Sequence, residues 1–367
     1  MIRLSRPAAV VGTALALAVA FGCGSARGVA KQAVSPCGTA TAPTWSPDGT
    51  QIAWFGYRWP RPPHNHAVGS YNILRAICVS DATGKNLHQL PSTVCSERCS
   101  SALREGVGQL DWAQPNLLLA GMDTGIATVP LGQKPKLLAK TGPTRFSIDA
   151  SGDRAVSGLF ADGCSGCSGP VKVFNVTTGA LVGQVGGMKL FNGDPSLSPD
   201  GTQVVFVRSS GKNPEAKPSI WTASADGSHL QRLERSGVNP LWSPAGNQIA
   251  YLVPKATASL WQVVSPHGGA SKTLLRNGPG TVFGWSPNGK WIAYPDSKGR
   301  LAVINVATKK VRTLLKLRLP YSSSSVAWSP NSQQLLVVWR APAHTKCPSG
   351  LWRVPLSGAS PHLVHGC

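Results

Sequence analysis

The chain has 367 residues, of which 42% are hydrophobic and 14% are charged, and its formal net charge is +21. A length of this order usually indicates two domains, unless the chain closes into one large radial fold. A charge this basic favours anionic partners. Nucleic acid would be the expected partner of so basic a protein in the cytoplasm. The N-terminal export signal described below excludes that partner.

The N-terminus has the layout of a secretory signal. Arg3 and Arg6 precede an apolar stretch that runs from Ala8 to Gly22. This stretch is too short to cross a bilayer comfortably and is typical of the apolar region of a signal peptide. Residues 1–22 are therefore predicted to be a signal peptide.

The end of the apolar stretch resembles the processing site of a bacterial lipoprotein, because Gly22 precedes Cys23. The resemblance implies lipidation of Cys23 by diacylglyceryl and palmitate-type acyl chains, with residues 23–36 as a lipid-anchored tether. More than one chain is needed for stable anchoring. The alternative is ordinary signal cleavage, after Ala20 or Ala30, and a secreted protein.

The chain has nine cysteines, and lipidation of one leaves eight, an even number suited to an oxidising compartment. Two close pairs could instead form a zinc site. That interpretation is the weaker one, because the pairs fall in different repeats and export favours oxidation, so no metal is predicted. The predicted disulfide candidates are Cys95 with Cys99, Cys164 with Cys167, Cys347 with Cys367, and Cys37 with Cys78.

Five segments of the chain are near-copies of one another, and the last three steps between them are 45, 43 and 43 residues. Pro suits the second position of a tight turn, Asp or Asn the third, and Gly the positive φ that follows. Each turn is followed by an alternating apolar run that predicts a strand. The copies begin at Trp45, Leu197, Trp242, Trp285 and Trp328, and each of these leading residues is predicted to be buried.

A repeat of this length is typical of one four-stranded propeller blade. Two weaker copies, beginning at Trp112 and Ile148, fill the gap after the first turn. The prediction is an all-β fold with a single β-propeller over residues 37–367, of seven four-stranded blades, with six as the alternative. The Trp-Ser-Pro-Asp-Gly pattern resembles the TolB-type (WD-like) propeller repeat, which implies a scaffold for contacts between cell-envelope proteins.

The irregular connections between strands predict the binding surface. Connections from second to third strand and from blade to blade share one face of a propeller, and varied loops on a rigid scaffold are where binding usually resides. The alternative is that these loops merely tolerate insertions. The binding-face candidates are Arg61, His64, His66, Lys212, Lys217, His344 and Lys346.

No catalytic constellation is evident, so the prediction leans towards a non-enzyme without cofactors. The predicted function is a non-catalytic lipoprotein on the outer face of the cell membrane that binds another envelope protein. The alternative is an exported propeller that binds or turns over a small ligand in its central channel. The C-terminal part of the chain is basic: from Lys255 onward there are fourteen Lys and Arg and one acid, Asp296. This flank predicts attraction to anionic lipid or wall polymer.

Overall fold

The computed structural model describes the chain from residue 37 to residue 366 with gaps. The described ranges are 37–58, 74–90, 108–122, 125–140, 144–159, 168–187, 189–209, 217–255, 259–278, 280, 282–319, 326–340 and 349–366. All of them fall in one unit, Pro36–Cys367. Within these ranges the regular elements are 28 β-strands, and none is a helix that could span a membrane.

The first two sheets each contain four antiparallel strands in chain order. Sheet 1 consists of β1 (Thr39–Trp45), β2 (Gln51–Arg58), β3 (Leu74–Asp81) and β4 (His88–Gln89). Sheet 2 consists of β5 (Leu110–Gln114), β6 (Leu117–Met122), β7 (Gly125–Pro130) and β8 (Lys136–Lys140).

The third sheet has eight strands, in which two four-strand meanders follow each other. The first meander is β9 (Thr144–Ile148), β10 (Arg154–Leu159), β11 (Val171–Asn175) and β12 (Leu181–Val185). The second is β13 (Asn192–Leu197), β14 (Gln203–Arg208), β15 (Ser219–Ser224) and β16 (Gln231–Glu234).

The last three sheets return to four strands each. Sheet 4 is β17 (Val238–Trp242), β18 (Ile249–Val253), β19 (Ser259–Val264) and β20 (Lys272–Gly278). Sheet 5 is β21 (Gly284–Trp285), β22 (Trp291–Pro295), β23 (Arg300–Asn305) and β24 (Val311–Arg318). Sheet 6 is β25 (Val326–Trp328), β26 (Gln334–Arg340), β27 (Ser349–Pro355) and β28 (His362–Gly366).

The all-β, propeller-like arrangement is confirmed, but the blade count is corrected. The described strands form five four-stranded sheets and one eight-stranded sheet, so neither seven nor six separate four-stranded blades is observed. The two meanders of sheet 3 merge because Leu159 at the end of β10 pairs in parallel with Gly193 of β13. A Cβ on Gly193 would overlap the carbonyl oxygen of Leu159, so this close approach requires glycine.

The repeated turns are tight, as their sequence predicts. The amide of Gly201 donates to the carbonyl of Ser198 at 2.9 Å, and Gly201 has a φ of 68°. The serine has a role that the turn rules do not give: the Ser198 hydroxyl accepts from the amide of Gln203 at 2.9 Å and donates to Asp200 at 2.6 Å. Each turn is thereby closed on both sides by one side chain.

The residues that lead these turns pack between neighbouring sheets. Trp45, Trp112 and Trp242 are buried. The predicted burial of Trp285 and Trp328 is corrected: both are partly exposed, and each indole nitrogen donates across to the preceding sheet. Trp285 reaches the carbonyl of Leu241 at 3.4 Å, and Trp328 reaches that of Gly284 at 3.2 Å.

The first and last sheets meet and share one hydrophobic core. Trp45 and Trp54 of sheet 1 pack with Leu336 and Leu351 of sheet 6. His365 of β28 donates from Nε2 to the carbonyl oxygen of Gly38 at 3.1 Å. The described sheets therefore form a ring that is closed by contacts between the two ends of the chain.

Candidate functional site

Two faces of the ring differ in their connections. We call "turn face" the side that carries the turns from first to second and from third to fourth strand of each meander. We call "loop face" the side that carries the second-to-third strand connections and the connections between meanders. Of the predicted binding residues, Lys217 is described, and it lies exposed on the loop face before β15. The other six, Arg61, His64, His66, Lys212, His344 and Lys346, lie outside the described residues.

One predicted disulfide is present among the described residues. Cys37 and Cys78 are joined, with an S–S distance of 2.05 Å and a Cα–Cα distance of 5.8 Å. The bond ties the segment before β1 to β3 within sheet 1. The remaining cysteines lie outside the described ranges: Cys23, Cys95, Cys99, Cys164, Cys167, Cys347 and Cys367.

The carboxylates of the turn face are used within their own turns. Asp48 accepts from the Ser46 hydroxyl at 2.6 Å and from the Thr50 amide at 3.0 Å. Asp81 and Asp226 accept the same kinds of bonds in the turns that precede β4 and β16. These hydrogen bonds hold the pKa of each carboxyl below its ordinary value, because they favour the charged form. Such groups have structural rather than catalytic partners.

A cavity of about 290 Å³ lies on the turn face between the Ser198 turn and sheet 4. Asp200, Gln203, Trp242 and His267 line it. A smaller cavity of about 100 Å³ continues past Gln203 and His267 to His229. The walls are mixed in polarity, and Asp200 is already bonded to Ser198 and Thr202.

The innermost strands carry a polar arc that links successive meanders. The amide of Leu197 donates to the Ser147 hydroxyl at 2.7 Å, and the amide of Trp242 donates to the Ser196 hydroxyl at 3.1 Å. Asp111 occupies the corresponding place on β5, where it accepts from the Trp112 amide at 3.0 Å. Burial raises the pKa of Asp111 to about 6. This carboxyl therefore keeps its proton to a higher pH than an ordinary aspartic acid does.

The loop face contains a cluster that sequence patterns did not indicate. The Arg208 cluster consists of Asn192, Phe206, Arg208, Ser219 and Trp221. The guanidinium of Arg208 lies 4.8 Å from the centroid of the Trp221 ring and 5.4 Å from that of Phe206. Its Nε donates to Asn192 Oδ1 at 2.8 Å. Burial lowers the pKa of Arg208, because it disfavours the charged form.

The cluster stands where the two meanders of sheet 3 merge. Asn192 is fully buried, and its Nδ2 donates to the carbonyl oxygens of Gly169 at 2.8 Å and Leu190 at 3.2 Å. Gly169 lies just before β11 of the first meander, whereas Arg208 is the last residue of β14 in the second meander. The only signal in the sequence is a basic residue at the end of a strand, which is too common to predict a site.

The basic flank predicted from the sequence is present on sheet 5. Four basic residues are exposed at or near the turn-face end of this sheet: Lys290, Lys309, Lys310 and Arg312. The one acidic residue in the described part of sheet 5 is Asp296, whose carboxylate is 2.7 Å from Arg300 at the opposite end of the strands. No group of three His, Cys, Asp or Glu side chains that could hold a metal ion occurs within the described ranges.

No protein-family model matches the sequence, and no curated protein matches it either. Solved structures similar to the chain include an oligogalacturonate lyase in complex with manganese, with a TM-score of 0.61 and 12% identity over 86% of this chain and 89% of that one. A hydrazine synthase from Kuenenia stuttgartiensis has a TM-score of 0.58 and 13% identity over 92% and 98%. TolB from Acinetobacter baumannii has a TM-score of 0.46 and 15% identity over 86% and 79%.

At such low identities the likeness shows the fold alone. The propeller-like fold that the repeats predict is confirmed by the arrangement of the strands. Activity and partners must be argued from the chain's own residues.

Proposed function

We propose that this chain is a non-catalytic cell-envelope lipoprotein whose propeller is a scaffold for binding another protein through its loop face. The observation that supports the proposal is the contrast between the two faces. On the turn face, the carboxylates of Asp48, Asp81, Asp200 and Asp226 are bonded within their own turns. On the loop face, the Arg208 cluster presents a guanidinium over an indole.

Arg and Trp are the side chains that most often dominate the energetics of protein interfaces. An Arg that is already held in place loses little conformational freedom when a partner binds. A fixed Arg–Trp pair on the same face as the exposed Lys217 is therefore suited to recognition. The turn face also has an arginine over an indole, Arg312 at 5.8 Å from the centroid of the Trp291 ring. Arg312 is exposed, however, and no hydrogen bond to another described residue holds its guanidinium as Asn192 holds that of Arg208.

The chain offers a matched test of which face binds. Lys217 on the loop face and Lys309 on the turn face are both exposed, and both have left-handed backbone, with φ of 53° and 59°. A photo-crosslinking amino acid is placed at either position in the full chain, expressed in its native envelope. We expect a discrete protein adduct from position 217 and none from position 309, as read by immunoblotting and mass spectrometry.

Because the backbone conformation is similar at the two positions, replacing either lysine should change the stability of the fold by a similar amount. An adduct at position 309 alone would assign binding to the turn face. The absence of protein adducts at both positions would contradict the scaffold function.

The lipid anchor is part of the proposal. It is supported by the signal-like N-terminus and by the Gly22-Cys23 sequence. The intact mass of the protein from native membranes tests it, because a diacylglyceryl-modified chain beginning at Cys23 is expected. An unmodified chain beginning at Phe21 or Lys31 would make the protein secreted rather than anchored to the outer face of the membrane.

A second candidate function is binding of a small ligand in the central channel. Asp111, with its raised pKa, is the observation that favours it, because perturbed carboxyls cluster at functional sites. Native mass spectrometry of the purified chain tests this candidate. A retained small molecule that is lost in Asp111→Asn would support it, and a ligand-free chain would count against it.

A further inference from the structure

Two of the described arginines that are partly buried are paired with a carboxylate, and Arg208 is not. Arg145 lies 3.7 Å from Asp194, and Arg300 lies 2.7 Å from Asp296. Arg208 has no carboxylate within 4 Å among the residues that the structure describes. A guanidinium that is half-removed from water without an opposite charge is costly, so such a group usually has a functional reason.

Among the described residues, one amide and two aromatic rings hold the guanidinium of Arg208. Its Nε donates to Asn192 at 2.8 Å, and its central carbon lies over the neighbouring rings of Phe206 and Trp221. The Trp221 indole is itself held, since its Nε1 donates to the Ser219 hydroxyl at 2.9 Å. Ser219 in turn donates to the carbonyl oxygen of Arg208 at 3.0 Å. The two terminal nitrogens of Arg208 make no hydrogen bond to any residue that the structure describes, so they are the part of the group that can bind a ligand.

Asn192, the residue that holds Arg208, is buried, and both ends of its amide are hydrogen-bonded. Asn192 has no exposed surface, and its Nδ2 is bonded to backbone carbonyls while its Oδ1 accepts from Arg208. An amide whose own bonds are all made cannot rotate to follow a moving guanidinium. The terminal nitrogens therefore point in a set direction, which is the condition for a strong bidentate bond.

We propose that the Arg208 cluster binds a carboxylate, end-on to the two terminal nitrogens of Arg208. A planar carboxylate matches the guanidinium fork. One cation neutralises a single negative charge, so a carboxylate fits this partly buried place better than a phosphate dianion. The proposal goes beyond the scaffold function, because it applies to a free carboxylate as well as to the carboxylate of a bound protein.

The first arm of the test uses the full-length purified chain and 4-fluorobenzoate as the probe, with 4-fluorobenzamide as its neutral isostere. Binding is read by ¹⁹F NMR line broadening. We expect 4-fluorobenzoate, and not the amide, to bind with a Kd on the order of millimolar, as a lone fragment would. Arg208→Met, which keeps the side-chain length, should weaken binding by roughly tenfold or more.

Two variants make the result specific. Arg208→Lys keeps the charge and removes the planar fork, so it should bind several-fold more weakly than the native chain. Arg276→Met removes an exposed arginine of β20, in the neighbouring sheet, and should leave binding unchanged. Melting curves of all variants establish that each is folded. Equal affinity of the native chain and Arg208→Met for 4-fluorobenzoate would overturn the proposal.

The second arm distinguishes the sources of the carboxylate. Ac-Gly-Asp-Gly-NH₂ is titrated against bound 4-fluorobenzoate, with Ac-Gly-Asn-Gly-NH₂ as the control. Displacement by the Asp peptide alone would assign the site to a protein partner and would agree with the scaffold function. Binding of 4-fluorobenzoate without displacement would support a small carboxylate ligand and leave crosslinking at Lys217 to decide the scaffold question.

The chain's own sequence supplies the remaining control, Glu215, seven residues after Arg208. If Arg208 serves an external ligand, Glu215→Gln binds the probe as the native chain does. If 4-fluorobenzoate binds only after Glu215→Gln, the guanidinium is occupied from within the chain and the proposal is wrong.

Discussion

The surroundings of Asp111 affect how the stability of the whole chain depends on pH. Its carboxyl lies on the innermost strand of sheet 2, where it accepts from the Trp112 amide at 3.0 Å and the Thr44 hydroxyl at 3.3 Å. These bonds favour the charged form, but burial outweighs them and raises the pKa from 3.8 to about 6. The folded chain therefore holds this proton more tightly than the unfolded chain does.

The raised pKa predicts a fall in stability as pH increases between about 4 and 6, where the unfolded chain has already lost the proton. Asp111→Asn should remove this fall, because the amide oxygen still accepts both bonds and no charge is buried. At neutral pH the variant should be more stable by up to roughly 3 kcal/mol. Melting temperature as a function of pH measures the effect.

Asp200 provides a control of opposite sign. Hydrogen bonds from Ser198 and Thr202 lower the pKa of its exposed carboxyl. Asp200→Asn should therefore reduce stability at neutral pH, and the difference from the native chain should vanish as the pH falls below about 4. Identical pH profiles for the native chain and Asp111→Asn would show that Asp111 does not hold its proton as described.

At the scale of elements, the sequence predicts what local chemistry determines. The Pro-Asp-Gly turns and the strands after them follow from backbone preferences of single residues, and the structure has them in place. The serine of each turn was not predicted to be structural, although it recurs in all five copies. The merging of β10 with β13 could not be predicted, because one parallel residue pair depends on how closely two distant strands approach.

That close approach gives a prediction for Gly193. A Cβ there would overlap backbone of Leu159 and the ring of Phe191, so Gly193→Ala should destabilise the fold by roughly 1–3 kcal/mol. Gly187→Ala is the matched control, since a Cβ at that position would have nothing within 4 Å. Urea denaturation of the two variants compares them directly. Equal stabilities would mean that the join between the two meanders is looser than the backbone geometry indicates.

At the scale of the whole molecule, the sequence repeat predicts a closed ring but not its closing contacts. His365 and Gly38 are far apart in sequence and belong to no motif. The same holds for the Arg208 cluster, whose parts come from β13, β14 and β15. Sites of this kind arise from register between strands, and a single sequence without their pairing gives no sign of them. The loop face is the predicted binding surface because the regular turns leave the irregular connections on that side, and the Arg208 cluster lies on the same face.

The ring closure should depend on pH through His365. This imidazole donates to the carbonyl of Gly38 and lies 5.1 Å from the Trp54 ring, and its burial lowers the pKa below the ordinary 6.5. The folded chain thus binds this proton less readily than the unfolded chain. Its contribution to stability is present above about pH 6.5 and is lost as the pH falls below that value.

His365→Gln should reduce this acid-side loss, because the amide can still donate to Gly38 and gains no charge. The measurement is the melting temperature of the variant relative to the native chain from about pH 7.5 down to about pH 5. Taking the difference removes the opposite contribution of Asp111, which both chains share. His362→Gln, on the exposed part of the same strand, should follow the native profile. A His365→Gln profile parallel to that of the native chain would mean that the first and last sheets are held together without the help of this bond.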